Sequence, residues 1–206
     1  MAQFLQPPHI VVSRLPIYLR CLNFMAASGQ KVTSSKELAE KLGISSAQIR
    51  KDLSHFGEFG KQGTGYDILN LQEQLRNILH VDHDWRVILI GAGDLGHALV
   101  HHSILMERGF RIAAIFDNNP NKIGERWLDV PIRDISEMQG VVRREGFRIA
   151  ILAIPAEQAQ SVADSMIESG VKAILNYAPI TLTVPHGTRV EYLDPVIQLQ
   201  RMTYYI

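Results

Sequence analysis

Gly91-Ala92-Gly93-Asp94-Leu95-Gly96 has the spacing of a phosphate-binding turn. It follows Arg86-Val87-Ile88-Leu89-Ile90, patterned as a buried strand, and opens a helix read from Leu95 to Glu107. In that setting each glycine has a task. The first makes the turn and the second lets the backbone approach a pyrophosphate. The third packs the helix on the strand, so that the helix amides and dipole meet the phosphates. Asp117 ends a second strand-like run, Phe110 to Phe116, 21 residues after Gly96. A carboxylate there hydrogen-bonds ribose hydroxyls and repels a 2′-phosphate. Asn118 and Asn119 bring no compensating cation, so NAD(H) is expected over NADP(H). The alternative is a structural strand–helix turn with Asp117 as a cap. Ligands of open α/β sheets sit beyond the carboxyl ends of the strands, which points to Pro155, Asn176 and Tyr177 for the nicotinamide side.

A second group of residues suits DNA. Ile49, Leu53 and Phe56 form an apolar stripe, and Gln48, Arg50, Lys51, Ser54 and His55 surround the small Ala47 on the opposite arc. Arginine reads guanine bidentately and glutamine reads adenine, while lysine and serine suit phosphates or either base. A solvated helix face is the plain alternative. The segment Phe56 to Tyr66 then carries four glycines in eleven residues around Lys61. Such a segment suits a tight hairpin, or wing, with Lys61 as a phosphate or minor-groove contact.

The histidines are a weaker signal. His97 and His101 share a helical face at i, i+4 with His102 beside them, but no third ligand or H-E-x-x-H pattern accompanies them, so no metal is expected.

Elements must hold these residues in place. A helix is expected from Pro8 to Ala27, kinked or restarted at Pro16 and stopped by Gly29. Ser34-Ser35-Lys36-Glu37 and Ser45-Ser46-Ala47-Gln48 read as successive capping boxes, each serine accepting an amide while Glu37 or Gln48 reaches back. Two short helices joined by a turn at Gly43 make a helix-turn-helix, with Ser45 and Ser46 at the start of the recognition helix. Beyond Arg86 strands alternate with helices: Arg148 to Ile154, a helix from Ala156 to Ser169, Lys172 to Asn176, and Val190 to Leu193. Domains are therefore placed at 1–80, a winged helix-turn-helix, and 81–194, a Rossmann doubly wound parallel sheet. A C-terminal helix over 195–206 is too apolar for a free tail and packs in its own chain or across a dimer.

Composition agrees once divided. The 206 residues carry 21 basic and 21 acidic side chains. Residues 1–80 hold nine Lys/Arg against six Asp/Glu, and residues 81–206 hold twelve against fifteen. The zero net charge thus hides a basic part suited to a polyanion and an acidic part. No uninterrupted apolar run nears the roughly 18 residues of a membrane span. The N-terminus does not read as a signal peptide, and the single cysteine, Cys21, fits a reducing cytoplasm and is expected to be packed rather than reactive. About 125 residues barely complete one Rossmann domain, which leaves no room for a substrate domain. On these residues alone, a DNA-binding sensor, an NAD-dependent oxidoreductase and a nucleotide-binding scaffold all stay open.

The sequence resembles the Rex family of redox-sensing transcriptional repressors. The resemblance rests on Ser13 to Arg20, Ile49 to Ser54, Phe56-Gly57, Gly63 to Tyr66, Gly91 to Gly96, Phe116-Asp117, Ile154-Pro155 and Leu175 to Pro179. It implies a non-enzymatic homodimer that binds palindromic operator DNA, senses NADH against NAD+, releases DNA when NADH binds, and exchanges its C-terminal helix between subunits. It further implies that Arg20 and Asp194 take part in telling NAD+ from NADH, together with a tyrosine whose place His102 takes here. Pro195 also departs from the family, which often has an apolar residue there.

Overall fold

The computed structural model describes residues 7–60 and 65–206, and divides between His83 and Asp84 into two compact units.

The first unit contains α1 (His9–Val12), α2 (Leu15–Ala27), β1 (Val32–Thr33), α3 (Ser35–Leu42), α4 (Ser46–Ser54), β2 (Tyr66–Asp67) and α5 (Ile68–Ile78). The expected helix restart occurs: Pro16 lies in the first turn of α2, where a missing N–H costs no hydrogen bond. By length and composition, residues 9–27 could cross a membrane, which a search for uninterrupted apolar runs overlooks. Leu15, Tyr18, Leu22 and Met25 of that stretch are instead buried in a core with Leu38, Ile49, Leu53, Leu71 and Leu75. Cys21 is half-buried against this core, and burial raises its thiol pKa, as expected of a packed cysteine.

One local expectation changes. Ser34 and Ser45 do cap α3 and α4, each accepting an amide hydrogen bond at 3.1 Å. The return halves of the capping boxes are not made. Glu37 instead accepts from Gln30 Nε2 and Thr33 Oγ1, and Gln48 makes a charge-assisted bond to Asp52. The expected wing hairpin lies partly outside the described residues. Gly57 to Gly60 form no strand, and β2 pairs antiparallel with β1 across the helix-turn-helix. At Gly65, φ is +79°, and a Cβ would stand 2.4 Å from the Thr33 carbonyl oxygen, so only glycine permits this approach. Lys61 lies outside the described residues.

The second unit contains β3 (Trp85–Ile90), α6 (Asp94–His101), α7 (Ile104–Glu107), β4 (Phe110–Asp117), β5 (Arg126–Trp127), β6 (Val130–Asp134), α8 (Met138–Glu145), β7 (Ile149–Leu152), α9 (Ala156–Ser169), β8 (Ala173–Asn176), β9 (Arg189–Tyr192) and α10 (Pro195–Thr203). The sheet order is β5-β6-β4-β3-β7-β8-β9, parallel except for β5 against β6. Its six parallel strands thus run 3-2-1-4-5-6 in chain order, the doubly wound Rossmann arrangement. One face packs beneath α8 and α9 around Ile88, Phe116, Val141, Leu152 and Met166. The other carries Val87, Leu89, Ile115 and Ile151, with Leu99 and Val100 of α6. In α10 no residue is buried.

Candidate functional site

Strands β3, β4 and β7 open at their carboxyl ends onto a cleft of about 330 Å³, beside the point where the strand order reverses. Gly91, Gly93, Asp117, Asn118, Asn119, Lys122, Pro155 and Gln158 line it, over an apolar floor that includes Ile90 and Phe116. The three glycines of the turn divide by what surrounds them. At Gly91, with φ +103°, a Cβ would stand 2.2 Å from the Ala153 carbonyl oxygen. At Gly96 it would stand 2.1 Å from the Gly91 carbonyl oxygen. The chain itself needs both to be glycine. At Gly93 a Cβ would meet nothing within 4 Å, although this residue caps the N-terminus of α6 and lines the cleft. Open backbone at a helix N-terminus is what a pyrophosphate requires. Ala92 is buried, whereas Asp94 and Leu95 of the same turn are exposed.

Asp117 is braced from two sides. Its Oδ2 accepts the Ala92 amide at 2.6 Å, and its Oδ1 accepts the Asn119 amide at 2.7 Å. Each oxygen keeps a lone pair, so the carboxylate supports the turn and can still accept from a ribose hydroxyl. Lys122 adds a cation that the sequence pattern does not point to: its Nζ donates to the Ala92 carbonyl at 2.7 Å, and the residue lines the same cleft. The expected lack of a cation therefore holds at Asn118 and Asn119 but not five residues beyond Asp117. The signal in the sequence is no more than a lysine shortly after the aspartate in the loop that leaves β4.

Other candidates separate from this cleft. Asn176 is buried, and its amide is committed to the loop after β8: it donates to the carbonyls of Ala178 and Ile180 and accepts the Ala178 amide. Its side chain shapes the loop instead of facing the cleft. Tyr177 is half-buried, and burial pushes its phenol pKa up. Asp194 caps α10 by accepting the Val196 amide at 2.8 Å. His102 interrupts the helix expected to run unbroken to Glu107. It leaves α6 with extended backbone, and its Nδ1 accepts the Ile104 amide at 3.3 Å. It lines a different hollow, with Arg111, Asp84 and Asp129. Arg20 is exposed on α2 in the first unit. His97 and His101 stack at 4.0 Å between ring centroids, with Trp127 edge-on to His97. Among the described residues no group of three metal-ligating side chains forms.

On α4, Ala47, Arg50, Lys51 and Ser54 are exposed, as is the capping Ser45, whereas Ser46 and Gln48 are half-buried. Arg50 Nη1 donates to Ser35 Oγ at 2.9 Å, which ties the two helices of the motif. The opposite face holds an unexpected charge. Asp52 is completely buried and accepts from Arg14 Nε at 2.5 Å, Arg14 Nη2 at 2.8 Å, the Tyr18 hydroxyl at 2.6 Å and Gln48 Nε2 at 2.6 Å. Burial raises the Asp52 pKa, but the bonds from Arg14, Tyr18 and Gln48 outweigh it and hold the carboxyl below the usual range.

Comparison with known proteins bears on both units. Residues 82–180 match the family model described as "CoA binding domain", and residues 8–54 match "Putative DNA-binding protein N-terminus". CoA and NAD share an adenosine diphosphate moiety. The redox-sensing transcriptional repressor Rex of Chloroflexus aggregans is 48% identical over 201 residues, covering 98% of this chain and 95% of that protein. That of Brevibacillus brevis is 42% identical over 206 residues, the full length of both. Among solved structures, RSP in complex with beta-NAD+ and operator DNA superposes with a TM-score of 0.91 at 38% identity, covering 96% of this chain and 91% of that one. RSP in complex with beta-NADH gives 0.88 at 35%, covering 98% and 94%.

Proposed function

Because the chain belongs to the Rex family of redox-sensing transcriptional repressors, we propose that it binds palindromic operator DNA as a homodimer and releases it when NADH occupies the Rossmann cleft. The protein is a regulator and not an enzyme, and its place is the cytoplasm. The observation that carries the reading is the coexistence, on one chain, of a helix-turn-helix with exposed cations and a dinucleotide cleft whose Gly93 backbone stands open. The N-terminus of α6 at Gly93 binds the pyrophosphate, while Asp117 accepts from a ribose hydroxyl and Lys122 holds the turn. NADH and NAD+ differ only at the nicotinamide ring, so these groups supply affinity common to both forms. Pro155 and Tyr177, with His102, Arg20 and Asp194, are the candidates for the nicotinamide end and the switch.

Serines 45, 46 and 54, Ala47, Gln48, Arg50, Lys51 and Lys61 form the DNA-facing set. A dimer places two such helices about 34–36 Å apart, one DNA turn, so a modest rotation breaks the fit. Two features support the dimer: Val196, Leu199 and Met202 of α10 are exposed, and an apolar hollow of about 360 Å³ lies along Val87, Ile112, Ile151 and Leu175. An α10 exchanged from a second copy would cover such apolar surface.

The test is titration of a palindromic duplex with protein, with and without NADH. Release by NADH is expected. Binding that persists in saturating NADH, or no DNA binding at all, overturns the proposal. By linkage, DNA must weaken NADH binding by the same factor.

A further inference from the structure

The buried carboxylate behind the recognition helix does more than hold α4 to α2. We propose that Asp52 is a positioning residue for base recognition: it holds the Gln48 amide with its NH2 inward, so that Gln48 selects adenine over guanine. This rests on the DNA-binding reading above.

An ionised carboxylate only accepts hydrogen bonds, so at 2.6 Å from Asp52 Oδ1 the Gln48 group facing it must be the NH2. The two residues stand at i and i+4 on α4, where such a pair fits naturally. Asp52 cannot swing away, because Oδ2 holds Arg14 Nε and the Tyr18 hydroxyl while Oδ1 also holds Arg14 Nη2. Gln48 Oε1 takes no hydrogen bond among the described residues, and the side chain is only half-buried. What remains to meet a base is therefore one acceptor and one N–H. Adenine offers the complementary pair in the major groove, N6–H and N7, whereas guanine offers only the acceptors O6 and N7.

Asp52→Asn tests the inference because it should reverse the preference. With the asparagine oxygen kept on Arg14 Nε and the Tyr18 hydroxyl, its NH2 takes the place of Oδ1, giving up the Arg14 Nη2 bond and facing Gln48. The glutamine amide must then turn its oxygen inward and present two N–H groups, the pattern that suits guanine.

The experiment uses the full chain and a duplex selected by the wild type from a randomised palindromic pool. Each adenine of the half-site is changed in turn to guanine, and binding is followed by fluorescence anisotropy. The wild type should lose about tenfold at one position. Gln48→Ala should flatten that position alone, and Asp52→Asn should invert it while leaving NADH affinity unchanged. An Asp52→Asn protein that loses affinity equally for all duplexes would overturn the inference while leaving the DNA-binding reading intact. So would a Gln48→Ala protein with the wild-type profile. If the wild type selects no duplex, the DNA-binding reading itself fails. If Asp52→Asn does not fold, the wild-type Gln48 side-chain amide decides by NMR: a protected N–H supports the tether, and a freely exchanging amide overturns it.

Discussion

Replacing Gly93 with alanine should separate ligand binding from folding. The φ of −82° at Gly93 is open to any residue, and an added Cβ meets nothing within 4 Å, so the fold should accept it. Glycine caps a helix better than alanine, but alanine orders the unfolded chain more; these small effects oppose each other and leave stability within about 1 kcal/mol. The cofactor is affected differently. A Cβ on Gly93, about 1.5 Å from its Cα, would stand in open space beside the cleft that Gly93 lines. It would hold a pyrophosphate oxygen near the roughly 3.5–4.0 Å of a carbon contact, beyond the roughly 2.7–3.2 Å of a hydrogen bond. Losing one charge-assisted bond costs about 1.5–3 kcal/mol, or roughly ten- to 150-fold in NADH affinity. Calorimetric titration with NADH should show that loss, and thermal melting should show a near wild-type midpoint. Gly96→Ala, whose Cβ would stand 2.1 Å from a backbone oxygen, should destabilise the protein itself. A folded Gly93→Ala protein that binds NADH like the wild type would refute the assignment of this turn to the pyrophosphate.

Four further outcomes are expected. Asp52 has a depressed pKa in the folded protein, so its stabilisation is present above the unfolded value near 3.9 and is lost as pH falls through the folded value. Acid unfolding of the first unit should begin below about pH 4, and Asp52→Asn should flatten that limb of the pH–stability curve; an unchanged limb contradicts the carboxylate's role. Tyr18 is pushed well up by burial and then by Asp52, so its contribution holds below the unfolded value near 10 and disappears only as pH rises through the folded one. In an ultraviolet pH titration Tyr18→Phe should therefore remove no phenol that ionises near pH 10 in the native state. Leu199→Asp should weaken the dimer in sedimentation experiments without lowering helix content; an unaltered dimer argues against an interface through α10. Arg50→Ala should relax base preference, at a cost of about 1–3 kcal/mol if it meets a base edge, and retention of the wild-type profile would remove it from the recognition set.

Legibility in the sequence followed how local the determining interactions are. The Gly-rich turn, the serine caps and the strand leading to Asp117 depend on neighbours within one or two elements, and their residue patterns announce them. Helix α8 carries a local pattern too: Met138, Val141 and Val142 fall at i, i+3 and i+4, and Gly146 ends it in a left-handed cap. The short β5 and β6 pair left no such pattern. The division of labour at Asn176 was not legible, because a polar residue at a strand end looks the same whether its amide meets a ligand or its own loop.

The sequence by itself determined the two-part organisation, the Rossmann-type alternation of strands and helices and the Gly-rich turn, since these follow from periodicity, glycine spacing and local capping. Only the tertiary structure decided which of three identical glycines is needed by the chain and which stands open to the cleft. It also brought Lys122 onto Ala92, drew β2 back to β1, and buried Asp52 between Arg14 and Gln48, 34 to 38 residues from its α2-side partners in sequence. Those outcomes depend on distances between residues far apart in the chain, and a one-dimensional pattern does not encode a distance.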